Sequence, residues 1–439
     1  MMKVFKRQHG DIPVLEFNRA ISCIAETFGE RWLEAKSAKR NLIREIWQRQ
    51  DFVSSMELFF VGSALQKIVR NGEYKDWMED FLRRAKSSDD GNAIGAIYEA
   101  VMYSMLADNP GVTLAPPAQA GFDFTAQFGE GVIRYSCKRL QVSDQEKKSR
   151  LEFEEFKSNF RKILHKYRRT GWHAVLYGLD SVSIPKKDSL EKAVLATLQS
   201  RNKKVQLGKF VLFMKELGPK ISGARLNLKR LSYAATLIRP MPESEQARFE
   251  DLFRRAAKNL TKHSPNPHEL QVNALLIGLP ESISIEKAKK WVDERFERSD
   301  SSKVAIVILT KFLPVADLKE KTTLNNLQIG FCINNNSDSA SIDFLRCNAK
   351  KALKFIVPIG SISEKAASMH LSADEIMLPI EDAYIHQSCE IHHEMDFKLP
   401  MEVSFSAEQD TVQTLTLVSN EGSFEVNPVS AREFRYVVM

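Results

Sequence analysis

The chain has 439 residues, of which 43% are hydrophobic and 27% are charged, and its formal net charge at pH 7 is +7. The length predicts two to four domains, and the composition is typical of a soluble globular protein. No apolar run approaches the roughly 18 residues of a transmembrane helix, the first residues lack the apolar segment of a secretory signal, and the five cysteines are scattered. We therefore expect a cytoplasmic protein without a membrane partner.

Residues 1–88 are predicted to form a helical N-terminal domain. Apolar residues recur at three- and four-residue spacing in AISCIAETFGERWLEAK, NLIREIWQRQ and KDWMEDFLRRAKSS. A polar stretch from Ser87 to Gly91 then predicts a boundary and the start of the next helix. No residue of this segment stands out as a candidate for chemistry, so we expect it to pack against the rest of the protein or to bind a partner.

Residues 89–182 are predicted to run helix, strand, strand, strand, helix, strand. The first helix carries an apolar stripe, with Glu99 just beside it. Two strands with period-two alternation follow, 122–128 and 132–140. A helix over about 149–169 and a buried strand at 173–179 complete this unit.

The remaining chain is predicted to form two further modules. Residues 183–335 alternate helices with apolar strands, which is the pattern of an α/β domain, while residues 336–439 are acidic and rich in strands. Neither GxxxxGK[ST] nor GxGxxG occurs, so an ATP-driven motor is not expected. The predicted fold class is thus a multi-domain α/β (α+β) protein.

The two strands around residue 130 are predicted to form a hairpin that places two charged residues together. Each strand has one apolar and one polar face, so the number of residues in the turn decides which side chains meet. A two-residue turn at Glu130 and Gly131 would place Asp123 opposite Lys138. A three-residue turn would place Asp123 opposite Cys137 and bury half of the polar face, so the pattern favours the two-residue turn.

This arrangement resembles the PD-(D/E)xK nuclease superfamily, whose members share the restriction-endonuclease-like fold. The segments that carry the resemblance are Gly95 to Glu99 on the helix, Gly121 to Asp123 on the second strand and Ser136 to Lys138 on the third. The resemblance covers roughly 90 residues. It lies in the order of the elements: a helix with Glu, a strand with Asp, a hairpin turn, a strand with Lys and then a basic helix. The chain departs from the family at Ser136, where a carboxylate is usual.

The resemblance implies hydrolysis of a phosphodiester with Mg²⁺ as cofactor, or Mn²⁺ in its place. Asp123 and Glu99 would be metal ligands, because hard cations prefer carboxylate oxygens, and Lys138 would orient or deprotonate the attacking water or place positive charge near the phosphate. Ser136 is a poor ligand for such a cation. Some members with Ser-x-Lys supply a carboxylate from the next helix, and helical geometry makes Glu152 the candidate for that role here.

Basic residues are concentrated in two stretches that we expect to contact a nucleic-acid backbone, DNA more than RNA. Residues 134–170 hold 12 Lys/Arg and 5 Asp/Glu, and residues 186–230 hold 12 and 3, whereas residues 371–439 hold 3 and 13. Solvated helix faces are the alternative interpretation of such stretches, and the acidic segment could screen them. The candidate contacts are Arg134, Arg139, Lys147, Lys148, Arg168, Arg169, Lys203 and Lys204.

The predicted function is a Mg²⁺-dependent endonuclease, and family analogy extends this to a prokaryotic restriction or antiviral defence effector, acting as a homo-oligomer or with a partner defence protein. One alternative is an inactive subunit of the same fold that binds nucleic acid or a partner. Another is an interaction protein whose hairpin resembles the nucleases by accident. A structure in which Asp123 is more than one residue out of register with Lys138 would establish this last alternative.

Overall fold

The computed structural model describes most of the chain between residues 12 and 426. The described residues are 12–35, 40–49, 52–69, 74–107, 113–115, 122–128, 131–169, 171–178, 183–200, 203–216, 233–261, 270–280, 282–298, 303–317, 322–352, 361–363, 372–380, 383–390, 401–408, 412–419 and 422–426. Within these residues, no helix combines the length and the apolar character needed to cross a membrane.

Helices and strands alternate along most of the chain. The helices are α1 (Val14–Phe28), α2 (Glu30–Leu33), α3 (Leu42–Gln48), α4 (Phe52–Val69), α5 (Lys75–Ala85), α6 (Asp90–Ala107), α7 (Asp144–Lys166), α8 (Lys187–Gln199), α9 (Ser244–Thr261), α10 (Ile285–Phe296) and α11 (Ser339–Ala352). The strands are β1 (Thr113–Ala115), β2 (Phe124–Phe128), β3 (Gly131–Arg139), β4 (Trp172–Gly178), β5 (Lys204–Leu207), β6 (Phe210–Glu216), β7 (Tyr233–Pro240), β8 (Leu270–Gly278), β9 (Ile306–Asp317), β10 (Thr322–Ile333), β11 (Ser361–Ser363), β12 (Ser372–Ile380), β13 (Ala383–Glu390), β14 (Met401–Glu408), β15 (Val412–Ser419) and β16 (Gly422–Val426). The protein is therefore of mixed α/β class, as the sequence predicted at this coarse level.

Sheet A joins strands from distant parts of the chain, in the order β1-β2-β3-β8-β9-β10-β11. The hairpin of β2 and β3 is antiparallel, while β3, β8 and β9 are parallel neighbours. Alternate residues of β8 enter two different cores: Ala274 and Leu276 face one side, and Leu275 and Ile277 face the other. Sheet A is thus covered on both faces, which is the usual setting for parallel strands.

The helices α1 to α6 cover one face of sheet A and share a single hydrophobic core with it. Burial on α6 runs without interruption from Ala96 to Leu106, because this helix lies between the other helices and β3. The predicted division at residue 88 is therefore not a boundary between separate cores. On the opposite face, α9 and α10 pack against β3, β8 and β9.

Sheet B has the order β12-β13-β7-β4-β6-β5, and four of its strands, β4 to β7, lie between β3 and β8 in the sequence. The chain leaves sheet A after β3, forms β4 to β7 and then returns through α9 to β8, the parallel neighbour of β3. The predicted core of residues 89–182 assigned β4 to the same unit as β3, and that assignment is wrong at the level of the sheet. Both sheets take strands from either side of residue 182.

The region after residue 336 extends both sheets. The sequence had left two alternatives for this region, an extension of the preceding sheet or a separate β domain. Strand β11 pairs with β10 at the edge of sheet A, and β12 and β13 complete sheet B through β7. Strands β14, β15 and β16 form a third, antiparallel sheet.

The contact between α1 and α4 provides a test of how tightly the helical layer is packed. A Cβ at Gly62 on α4 would overlap the backbone of Ala20 on α1, whereas a Cβ at Gly95 on α6 would meet open space. We expect Gly62→Ala to lower the free energy of unfolding by roughly 2 kcal/mol or more, because backbone must move. Gly95→Ala, the matched control, should leave it unchanged or raise it by up to about 1 kcal/mol. Urea denaturation measures both, and equal effects would contradict the close α1–α4 approach.

Candidate active site

The hairpin of β2 and β3 has the predicted even register but a different turn. Phe128 pairs with Gly131, so the turn lies one residue earlier than expected, and continuing the register places Asp123 opposite Ser136, not Lys138. The predicted facing pair is therefore wrong by two residues. Because the shift is even, Asp123 and Lys138 remain on the same face of the hairpin.

By backbone register alone, this shift meets the criterion for an accidental resemblance. The side chains nevertheless meet, since the Lys138 ammonium Nζ reaches back to lie 3.3 Å from Asp123 Oδ2 and also donates to the backbone oxygen of Cys137 at 2.8 Å. A lysine side chain is long enough to span the two-residue offset along the strand.

The Asp123 carboxylate is held by β3 through one of its oxygens. Oδ2 accepts from the backbone N–H of Cys137 at 2.6 Å, from Lys138 Nζ and, at a longer 3.4 Å, from the hydroxyl of Ser136. The backbone N–H of Asp123 also donates to the oxygen of Tyr135 at 2.7 Å. All the bonds that described residues make to this carboxylate end on Oδ2, so its position is fixed from one side.

Lys138 carries its charge in this environment. Burial disfavours the ammonium form, but the carboxylates of Asp123 and Glu99 outweigh burial and raise the pKa of Lys138 above its usual value. A lysine with a raised pKa is a poor general base, and it is suited to placing a fixed positive charge. Of the roles expected for Lys138, the electrostatic one is therefore favoured.

Glu99 lies close enough to Asp123 for the two carboxylates to repel each other. Its side chain is only 6% exposed, because α6 is enclosed by the helical layer and sheet A. Burial first, and then the charge of Asp123, raise the pKa of Glu99 to about 7, while Arg84 and Lys138 oppose that shift. The sequence prediction that Glu99 would accompany Asp123 and Lys138 agrees with this placement.

Arg84 is a member of this cluster that the sequence interpretation missed. It lies at the end of α5, in the segment thought to lack chemistry, and its Nη1 donates to Glu99 Oε1 at 2.8 Å while Nη2 contacts the other carboxylate oxygen. Its Nε donates to Asp80 on the same helix at 2.7 Å. The sequence offered one signal, the acidic residue four positions before Arg84, but that spacing is common on helix surfaces.

Ser136 is almost fully buried and contributes only its hydroxyl to the cluster. The polar face of β3 was expected to point away from the core, yet Ser136 and Arg134 are both buried, because α9 packs on that side. Arg134 donates to the side chain of Asn273 and contacts the backbone oxygen of Leu260 on α9.

Glu152 lies against sheet B, away from the groups that bind Asp123. Its Oε2 is 2.8 Å from Arg239 Nη1 on β7, and the aromatic residues beside it on α7 enter the core beneath β4, β6 and β7. The predicted helix face was right, but the structure turns that face toward a different sheet from β3. Glu152 is therefore not in position to replace the missing carboxylate.

Several of the predicted nucleic-acid contacts have other partners. Arg134 is buried, as described above, and Lys203 donates to backbone oxygens at the end of α8 while lying 5.0 Å from the Trp172 ring. Arg139 is half-buried, and its stem lies beside Gly278. The exposed members of the predicted set are Lys147, Lys148, Arg168, Arg169 and Lys204.

The exposed basic residues of α7 cannot form one compact patch. Lys147 lies in the first turn of this helix and Arg168 just beyond its end, so about 32 Å of helix separates them. Lys147 is also paired with Asp144 at 3.1 Å.

The donor set fits a small hard cation. Asp123 and Glu99 supply two carboxylates, and Mg²⁺ is commonly bound by one or two carboxylates with water and substrate oxygens completing its coordination. Among the described residues no group of three or more His, Cys, Asp or Glu side chains is gathered, so two carboxylates are what this cluster supplies. Arg84 competes for one of them.

The raised pKa of Glu99 predicts a pH-dependent stability. The folded protein holds this proton more tightly than the unfolded chain, in which a glutamate pKa is about 4.3. The stabilisation is complete below about pH 4 and is lost as the pH rises to about 7, in total by roughly 4 kcal/mol. Chemical denaturation of wild type and Glu99→Gln across this range should show their difference falling with pH. A flat or rising difference would contradict the prediction, and Glu155→Gln, at an exposed position on α7, is the control.

The family resemblance rests on the motif residues and on the cluster that they form. Comparison of the chain with models of known protein families gives no match, and comparison with curated proteins gives none either. The geometry of Glu99, Asp123, Ser136, Lys138 and Arg84 is therefore the basis on which a function can be assigned.

Proposed function

We propose that the protein is a metal-dependent nuclease whose active site is the cluster of Glu99, Asp123 and Lys138. The observation that carries this proposal is the convergence of two carboxylates and a charged lysine from α6, the segment before β2, and β3. In a structural ion pair one carboxylate would suffice for one lysine. The second carboxylate, Glu99, is buried beside the first, and its raised pKa means that Arg84 and Lys138 only partly offset the cost of its charge. Perturbed groups of this kind concentrate at functional sites.

Each residue of the cluster has a role that follows from its contacts. Asp123 and Glu99 would hold Mg²⁺, or Mn²⁺ in its place, and a cation bound there would stabilise charge on the phosphate and acidify a water. Lys138 would place positive charge beside the scissile phosphate. Asp123 keeps the Lys138 ammonium in position, and Arg84 keeps the Glu99 carboxylate oriented from the opposite side.

An inactive subunit of the same fold is the second candidate, and two observations favour it. Ser136 supplies a neutral hydroxyl where the related nucleases carry a carboxylate, and Arg84 occupies both oxygens of Glu99. In this alternative, the cluster is a buried charge network that holds α5, α6 and the hairpin together. The defence role that family analogy implies belongs to either candidate.

Cleavage assays separate these candidates. We expect Mg²⁺- or Mn²⁺-dependent cutting of DNA or RNA by the wild type, and at least about a hundredfold loss in Asp123→Asn and Lys138→Ala, since each removes a charge from the reacting centre. Substrates should include plasmid, linear duplex, single-stranded DNA and RNA, with EDTA as the metal-free control.

Two further variants make the cleavage assay specific to the cluster. Glu152→Gln should cut at the wild-type rate when folded, because Glu152 pairs with Arg239 on sheet B. Lys147→Ala, at an exposed candidate contact outside the cluster, should weaken substrate binding at most and leave the metal dependence of cutting unchanged. Activity that survives Lys138→Ala, or that disappears in Glu152→Gln with folding intact, would contradict the assignment. An absence of cutting on all substrates would favour the inactive subunit.

Replacement of Ser136 by aspartate tests the metal site without requiring activity. The new carboxylate would lie beside Asp123, so Ser136→Asp should lower the melting temperature in EDTA through repulsion and burial of charge. With Mn²⁺ present, the variant should gain more stability than the wild type, because a third carboxylate tightens cation binding. Ser136→Asn, similar in size but neutral, is the control. Equal metal-induced shifts in both variants would argue against a metal site here.

A further inference from the structure

On the face of sheet B opposite α7 and α8, part of β4, β5 and β6 is exposed, although Val211 and Thr236 on the same face are buried. On β4, Trp172, Ala174 and Leu176 enter the core beneath α7 and α8, so the alternate residues His173, Val175 and Tyr177 point to the other face. Tyr177 is 40% exposed. On the neighbouring strand β6, Phe213 is 39% exposed on the same face, and Lys215 is also exposed.

The strand registers bring these side chains side by side. Val175 pairs with Phe213, His173 pairs with Lys215, and Phe213 pairs on its other side with Lys204 of the edge strand β5. Neighbouring strands are about 4.8 Å apart, and diagonal neighbours such as Tyr177 and Phe213 lie about 7–8 Å apart. We call the set of Lys204, Phe213, Lys215, His173, Val175 and Tyr177 the open platform.

The charge of the open platform is positive and comes from its two lysines. Lys204 Nζ lies 5.3 Å from the centroid of the Phe213 ring. His173 is bonded to the hydroxyl of Thr236 at 2.8 Å, and burial together with the charge of Lys215 lowers its pKa to about 4, so it is neutral at physiological pH. Among the described residues of β4, β5, β6 and β7 that point to this face, none is Asp or Glu.

Two exposed rings on a sheet beside two lysines match the chemistry of a single nucleic-acid strand. Unpaired bases stack on aromatic side chains, and the phosphates between them attract lysine, whereas a duplex hides its bases from such a surface. A second copy of the chain fits less well, because a two-fold contact through this face would bring lysines together, and the described residues of β4 to β7 on this face offer no carboxylate to pair with them.

We propose that the open platform binds single-stranded nucleic acid, with bases stacked on Tyr177 and Phe213 and phosphates contacted by Lys204 and Lys215. This binding site lies on sheet B and is built without any residue of the Asp123 cluster. The inference therefore goes beyond the proposed nuclease function and does not depend on it. Lys204 was expected to contact phosphate from the sequence, and the structure adds the aromatic partner that specifies an unpaired strand.

The test is fluorescence anisotropy of a labelled oligo(dT), in EDTA and in an Asp123→Asn background so that cleavage cannot interfere. A labelled oligomer of abasic sites, with the same phosphates but no bases, separates stacking from charge. We expect oligo(dT) to bind more tightly than the abasic oligomer. Tyr177→Ala and Phe213→Ala should each weaken oligo(dT) binding by about tenfold and leave abasic binding nearly unchanged.

Control variants distinguish a loss of binding at the open platform from a loss of binding caused by misfolding. Phe331→Ala removes an equally exposed ring, 41% accessible, from β10 of sheet A and should not change the affinity. Tyr177→Leu and Phe213→Leu keep apolar bulk on the sheet and should still lose the stacking, whereas Phe213→Trp should retain it. Lys204→Ala and Lys215→Ala should each flatten the dependence of log affinity on log salt by about 0.7.

Three outcomes would overturn the proposal. The first is no binding of oligo(dT) by the wild type. The second is a loss of oligo(dT) affinity in Phe331→Ala as large as that in the platform variants, or an affinity for the abasic oligomer equal to that for oligo(dT). Either result would mean that the rings of the open platform do not stack on bases. The third is a concentration-dependent dimer in sedimentation that Tyr177→Ala and Phe213→Ala abolish, which would assign the face to a second copy. The same anisotropy measurement with labelled oligo(U) shows whether the affinity depends on the sugar of the nucleic acid.

Discussion

The burial of Glu99 beside Asp123 is the constraint on which the candidate site depends. Two carboxylates in a poorly solvated space cannot both be charged without nearby cations. Arg84 pairs with Glu99 and Lys138 pairs with Asp123. The helical layer and sheet A are therefore joined by charged groups as well as by their shared core. A change on α5 would therefore alter the electrostatics of the hairpin, although α5 belongs to a segment without an evident motif.

The sequence predicted the faces of the strands but not their register or their sheet. Period-two alternation in β2 and β3 states which residues share a face, and the even turn followed from it. It does not distinguish a register that pairs Phe128 with Gly131 from one that pairs Gly129 with Val132, because both preserve the faces. The same limit applied to α7, whose core face was predicted while the sheet that it covers was not.

The parts that sequence reasoning missed are the long-range ones. Strand β3 is paired with β8, which lies more than a hundred residues further along the chain, and the intervening segment forms strands β4 to β7 of sheet B. Nothing in the apolar pattern of β4 or β8 states which is the neighbour of β3, since both read as buried strands. The prediction that Glu152 would serve the site failed for this reason, because it assumed that α7 follows β3 onto the same sheet.

The structure changes the interpretation of Ser136. On the sequence alone it marks a missing ligand, but in the structure it is buried against α9 and lends its hydroxyl to Asp123. A carboxylate at this position would lie beside Asp123 in a space that already holds Glu99, and the two cations of the cluster would then face three negative groups. With serine there, Arg84 and Lys138 face two carboxylates, Glu99 and Asp123, and Glu99 can also hold a proton because its pKa is raised to about 7. Whichever candidate function holds, the cluster has its own means of limiting repulsion in the absence of metal, namely two cations and a protonatable Glu99.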